Sequence, residues 1–315
     1  MKLKYKVLLT LTGLVTVSIH CINHLAYTIS TKDKLLSTSL NKYFEWRFGK
    51  VNYTTNGIGT PILLIHNLTP GSSIYEFHKI SRMLAKNHEV YSLNLLGYGL
   101  SDKPNMTYTN FLYVQLISDF IKNIIGKKVD IVATGDSAPI ALMANHNDPE
   151  IINKMIFINP QDLYKCNEIP SKQTRLLKWF IDIPIFGTFL FNIIHSKHFI
   201  LKSFINEYFF DPSNIDRKDI YYYSEAAHLL ENTSKYSFSS YVGKYTNANI
   251  LHALKEVNQS ILIIAGGEIK DITSTIDAYT YYNIAIETEY LNKTKLLPHM
   301  ENPEKVFELI ETFFG

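Results

Sequence analysis

Two cysteines in 315 residues, Cys21 and Cys166, are too few for a disulfide framework or a cysteine-ligated metal cluster. They leave the redox compartment open. Net charge is missing too: 31 Lys+Arg against 29 Asp+Glu gives a formal +2 with no basic stripe, which argues against a nucleic-acid partner. His195 and His198 have no acidic or cysteine neighbour, so no metal is expected. Gly97 and Gly99 lack the nucleotide-binding spacing and read as turns, so no cofactor is expected either.

Charge of both signs is absent from Val7 to Thr31, directly after Lys2, Lys4 and Lys6. An uncharged run of that length can cross a bilayer as a helix, and the basic flank would stay in the cytoplasm. Segment 1–35 is therefore expected to be a membrane anchor, with the globular part extracytoplasmic. A cleaved signal, a helix resting on the body, and a body on the cytoplasmic face remain open readings.

What is present is a strand–helix rhythm. Tyr43–Phe48 and Lys50–Tyr53 read as a hairpin, and strands are expected at Pro61–His66, Glu89–Asn94, Val129–Thr134, Lys154–Asn159, Ser260–Ala265 and Lys293–Leu297. Helical spacing falls at Ile74–Lys86, Asn110–Ile125, Ala138–His146 and Pro303–Phe314, the last opened by a proline. Strands alternating with helices predict a mainly parallel sheet covered on both faces, with its ligand site at the carboxyl ends of the strands. The aromatic-rich stretch after Asp162 breaks this rhythm and reads as a helical insertion with helices such as Leu176–Ile181 and Ile220–Leu230. Its aromatic residues, among them Phe180, Phe186, Phe189, Phe191, Phe199, Tyr208, Phe209 and Phe210, are expected to build the core of that insertion, with His228 packed inside it. The expected division is a core in two parts, 36–162 and 251–315, with a lid over 163–250.

Val132–Ile140 has the shape of a strand, a sharp turn and a helix, the arrangement that presents a nucleophilic serine as Gly-x-Ser-x-Gly. Gly135 and Ser137 fit, but Pro139 stands at the second glycine. Three further blocks accompany it: Leu63-Leu64-Ile65-His66-Asn67-Leu68, Asn94-Leu95-Leu96-Gly97-Tyr98-Gly99-Leu100-Ser101-Asp102-Lys103-Pro104, and Pro298-His299-Met300-Glu301-Asn302-Pro303-Glu304. In this order, over about 43–314, they resemble the α/β-hydrolase fold family.

The resemblance implies an eight-stranded, mainly parallel sheet with an inserted helical lid. It implies Ser137 as nucleophile, with the backbone N–H groups of Leu68 and Ala138 as oxyanion donors. A family pattern His-x-Pro-x-x-Glu-x-Pro places the base at Leu296, which cannot move a proton; His299 is the histidine that remains. The acid position after the strand at Ile261–Ala265 falls on Ile269 or Lys270, leaving Asp271, with Glu268 or Asp162 as substitutes. Two functions follow: a serine hydrolase of small ester or lipid-like acyl compounds, or a catalytically silent relative that binds an apolar ligand or a protein.

Overall fold

The computed structural model describes residues 2–315; Met1 of the expected 1–35 segment lies outside them. The chain begins with a long helix, α1 (Lys2–Thr31), followed by strands β1 (Asn41–Trp46), β2 (Gly49–Asn56) and β3 (Thr60–Ile65). A single 3-10 turn at Ile74–Phe77 and α2 (Ile80–Leu84) lead into β4 (His88–Leu93), α3 (Asn110–Phe120), β5 (Val129–Thr134), α4 (Ser137–Asn147) and β6 (Ile152–Ile158). Seven helices then intervene: α5 (Leu163–Cys166), α6 (Lys172–Asp182), α7 (Phe186–Ile194), α8 (Lys197–Ser203), α9 (Arg217–Asn232), α10 (Lys235–Val242) and α11 (Leu251–Glu256). The sheet resumes with β7 (Ile261–Gly266), α12 (Ile272–Tyr282) and β8 (Glu287–Leu291), and the chain closes with α13 (Pro298–Glu301) and α14 (Pro303–Phe314).

The eight strands lie in the order β1-β2-β4-β3-β5-β6-β7-β8. β1 and β2 pair antiparallel, and β2 meets β4 antiparallel. Every pairing from β4 to β8 is parallel. This is the mostly parallel sheet with an inserted helical region that the sequence implies.

Period-two alternation decides which residues face which layer. In β3, Leu63 and Ile65 belong to one core with residues of α3 and α4, whereas Ile62 and Leu64 belong to another with Ile80 and Leu84 of α2 and Val306 and Ile310 of α14. Both layers exclude water, so central strands such as β5 are buried along their whole length.

Two expectations need correction. Lys293–Leu297 is not a strand: the last strand is Glu287–Leu291, paired to β7, and Leu296 lies in the loop that follows. The pattern Glu-Thr-Glu-Tyr-Leu of this edge strand is largely solvent-exposed, so it lacks the apolar run that marks the inner strands. The aromatics of the helical insertion also divide. Phe191, Phe204 and Phe209 are buried, but Phe180, Phe186, Phe199 and Phe210 are exposed.

α1 does not stand wholly clear of the body. Lys4 to Val15 are exposed, but farther along Asn23 is buried, donating its amide to the Ile185 carbonyl at 2.9 Å and accepting from Asn192 of α7 at 3.1 Å. The carboxylate of Glu225 in α9 accepts the N–H groups of Leu35 and Leu36 just beyond the helix.

Candidate functional site

β5 stays paired to β6 through Thr134 and Ile158, and the Gly135 N–H still reaches the Ile158 carbonyl at 2.9 Å. The chain must reverse immediately afterwards. It does so at Gly135, whose φ of +54° is the left-handed conformation that glycine adopts without a Cβ penalty. Gly135 is therefore the apex of the strand–helix turn, the point at which this kind of elbow presents its side chain. Ser137, two residues on, is already the first residue of α4.

Ser137 is fully buried, and its hydroxyl donates to the carbonyl of His66. His66 is itself locked: Nε2 accepts the Leu95 N–H at 3.1 Å, which leaves Nδ1 to donate to the Asn67 carbonyl at 2.6 Å. Burial, the largest influence on this imidazole, holds its pKa below the ordinary value.

Above Gly135 lies the side chain of Asn67. Its Oδ1 accepts two backbone N–H groups, that of Leu68 at 2.8 Å and that of Asp136 at 2.9 Å. The second is the residue after the apex. Two N–H groups from the β3 loop and from the residue after the elbow are how an oxyanion site is built, and here an amide oxygen of the chain itself occupies their point of convergence. Of the two N–H groups that the sequence singles out, that of Leu68 meets Asn67 Oδ1 beside the Asp136 N–H, whereas that of Ala138 is directed at the Gly135 carbonyl, 3.3 Å away.

The other expected relay residues stand apart. His299, fully buried in α13, has Nε2 3.4 Å from Oε1 of Glu76. Neither imidazole nitrogen has a well-aligned hydrogen bond. Glu76 also accepts the Thr134 hydroxyl at 2.6 Å and the Asn67 N–H at 3.4 Å, which makes it the polar support beneath the elbow. Burial alone would push its carboxyl up; the contact with His299 and the Thr134 hydrogen bond more than offset this, and its pKa lies below the ordinary value. Asp271 sits at the start of α12 with its side chain 78% exposed and 4.0 Å from Lys270. No hydrogen bond joins Ser137, His299 and Asp271 among the described residues.

A cavity of about 450 Å³ opens at the carboxyl ends of the strands. Gly135, Ile269 and Leu296 all line it; Ser137, His299 and Asp271 do not. Leu297, Tyr208, Tyr223 and Tyr241 give it further apolar surface, and Asn67, Gln161, Lys165 and Lys244 give it polar groups. Asp136 is also in the wall, its carboxyl pushed up to about 6 by burial while the Tyr241 hydroxyl and nearby lysines pull the other way. Of the substitute acids, Asp162 lines the cavity but is engaged in capping α5 through the N–H groups of Tyr164 and Lys165. Glu268 accepts the Lys293 N–H at 3.3 Å.

His228 is buried in the lid and bonds the Ser224 carbonyl. His195 likewise bonds the Phe191 carbonyl. Among the described residues, the group that could hold a metal ion is His146, His252 and Glu256, with ligand atoms within 4.8 Å of one another at the outer surface of α4 and α11, outside the cavity. Composition gives no sign of that group, because its members are 106 or more residues apart except for the His252–Glu256 helical pair.

Glu76 and the Asn67 side chain escape a reading of the sequence. The block at Asn67 signals only a turn, and Glu76 is one acid in a short helical segment. Gly135 was in view, but as the companion of Ser137.

Comparison with known proteins agrees with this architecture. The chain is 28% identical over 117 residues to 2-hydroxy-6-oxo-6-(2'-aminophenyl)hexa-2,4-dienoic acid hydrolase of Metapseudomonas resinovorans, a match covering 36% of this chain and 40% of that protein. An uncharacterized Mycobacterium tuberculosis protein is 27% identical over 103 residues, covering 33% of this chain and 30% of its own length. The chain thus matches less than half the length of these curated relatives. No family model matches.

Among solved structures, the epoxide hydrolase CorEH superposes with a TM-score of 0.71 at 17% identity, over 87% of this chain and 98% of that one. A membrane phospholipase A, described as a bacterial virulence factor, gives 0.69 at 15% identity, over 100% of this chain and 98% of its own. The fold is that of the α/β-hydrolases.

Proposed function

We propose that this chain is a catalytically silent α/β-hydrolase-fold protein that binds a small ligand with an apolar or acyl portion, and that α1 holds it in a membrane. The convergence of the Leu68 and Asp136 N–H groups on Asn67 Oδ1 carries this reading. A substrate carbonyl would need those donors, and the position beneath them is a glycine without a nucleophile.

The neighbouring substitutions act in the same direction. Ile269 and Leu296 face the cavity where the family pattern calls for an acid and a base, and neither can transfer a proton. A volume of about 450 Å³, with an apolar wall and a few polar groups, suits a small molecule. The membrane part rests on α1, whose run from Lys4 to Thr31 has a mean hydropathy of 1.5, and on the extension of the phospholipase superposition over the whole chain.

The test uses p-nitrophenyl butyrate and a fluorophosphonate probe on the full-length protein. Saturable binding of the ester without release of nitrophenolate, and no probe adduct on Ser137, is the expected result. An adduct mapped to Ser137, abolished by Ser137→Ala, would restore the hydrolase reading with His299 as its base.

A further inference from the structure

We propose that the exposed apolar face of α6, α7 and α8 seats on an anionic lipid bilayer, so that the lid as well as α1 contacts the membrane. The inference rests on α1 being the anchor and adds a second, separable contact.

The first observation is geometric. α1 has no buried residue from Lys4 to Ile22, and the first buried one is Asn23. Nineteen residues at a rise of about 1.5 Å give roughly 28 Å, close to the hydrocarbon core of about 30 Å that needs about 20 helical residues. Asn23, bonded to Asn192 of α7 and to the Ile185 carbonyl, therefore falls where the crossing ends. With α1 across the bilayer, α7 and the helices beside it are held at the level of the lipid headgroups.

The second observation is what those helices carry. Trp179 and Phe180 of α6 are 58% and 50% exposed, and Phe186, Leu190 and Ile193 form one exposed stripe on α7 at spacings of four and three residues. Phe199 of α8 continues it. Together α6 and α7 are apolar enough to pass for a membrane segment, but they bend by 99° at their junction, so the pair suits a surface and not a straight span.

Charge completes the argument. Between positions 171 and 205 there are five Lys+Arg and one acid, Asp182, which is paired with Lys178 at 2.5 Å. Lys172, Arg175 and Lys202 are exposed around the aromatic face. Aromatic and aliphatic side chains rimmed by basic ones are the chemistry that lies in the interface of an anionic membrane.

The chain holds two tryptophans, and Trp46 is buried against Asp119, which makes Trp179 a built-in reporter. Full-length protein is reconstituted in vesicles of phosphatidylcholine and phosphatidylglycerol at 3:1, with or without brominated acyl chains, beside Trp179→Phe. Bromine should quench the Trp179 emission by at least about half, and Trp179→Phe should show no quenching. Lys172→Glu with Arg175→Glu and Lys202→Glu should abolish any excess of quenching over pure phosphatidylcholine; an unchanged excess would overturn the anionic preference. Unquenched Trp179 in protein that resists carbonate extraction overturns the lid contact and leaves the anchor standing. Blue-shifted but unquenched emission also overturns it and assigns the face to a second copy or another protein. Quenching in protein that carbonate releases upholds the lid contact and removes the anchor.

Discussion

The side-chain oxygen of Asn67 accepts the backbone N–H of Asp136 at 2.9 Å, and in doing so closes the space above Gly135. A Cβ at Gly135 would come within 2.5 Å of the Asn67 carboxamide. A side chain at position 135 and the Asn67 carboxamide in its present place therefore exclude one another. The bare apex and the engaged N–H groups of Leu68 and Asp136 are a single structural state, reached from two sequence positions.

Gly135→Ser should consequently lower stability by about 2 kcal/mol, since it places a Cβ at positive φ and displaces an amide that holds two hydrogen bonds. Combining it with Asn67→Gly should recover part of that loss. Urea unfolding of the two single variants and the double variant measures the coupling; additive losses would mean that the two side chains do not compete.

Chemistry should return only when every seat is refilled. The variant Asn67→Gly, Gly135→Ser, Ile269→Asp, Leu296→His should react with a fluorophosphonate probe, while Leu296→His alone should not, because an imidazole without a nucleophile beside it has no proton to take. Labelling of the single variant that is lost on Ser137→Ala would place the working nucleophile at Ser137.

His299 is expected to matter for stability. His299→Ala removes a fully buried ring that packs against Phe77 and takes one polar neighbour from the Glu76 carboxylate, a loss of about 3 kcal/mol. The Glu76 carboxyl lies below its ordinary value in the folded protein, so its contribution is present above about pH 4.5 and is lost as the pH falls through the folded pKa. Wild-type protein should therefore lose stability relative to Glu76→Gln on acidification from pH 5 to 3. Parallel pH profiles for the two proteins would contradict the assignment.

Asp136 behaves in the opposite sense. Its carboxyl is raised to about 6 from 3.8, so the folded state holds a proton more tightly than the unfolded state and stability declines as pH rises between those values. Asp136→Asn should raise Tm by at least about 2 °C at pH 7 and leave it nearly unchanged at pH 4. Calorimetry at the two values checks this, and an equal shift at both would mean that ionisation is not the cause.

Local sequence was enough to determine the core elements. The runs at Ile62–Ile65, Ile131–Ala133 and Ile261–Ala265 have no polar face, so they read as strands buried on both sides, and Asn302-Pro303 marks the start of α14 by the missing N–H of proline. Leu296 and Ile269 were legible as residues without acid–base chemistry because side-chain type alone decides that. The edge strand β8 was not legible, since half-exposed polar residues give no core signal.

What only the tertiary structure decided is the register of the elbow. Gly135-Asp136-Ser137 fits a turn with either the serine or the glycine at its apex, because both residues are small and every neighbour tolerates either reading. Pairing of Thr134 with Ile158 fixes where the strand ends, and that leaves Gly135 with the positive φ. The engagement of the Leu68 and Asp136 N–H groups by the Asn67 side chain was equally hidden. It depends on a hydrogen bond between Asn67 and Asp136, residues far apart in sequence that meet only because parallel pairing sets β3 beside β5 and brings the ends of both strands to one edge of the sheet.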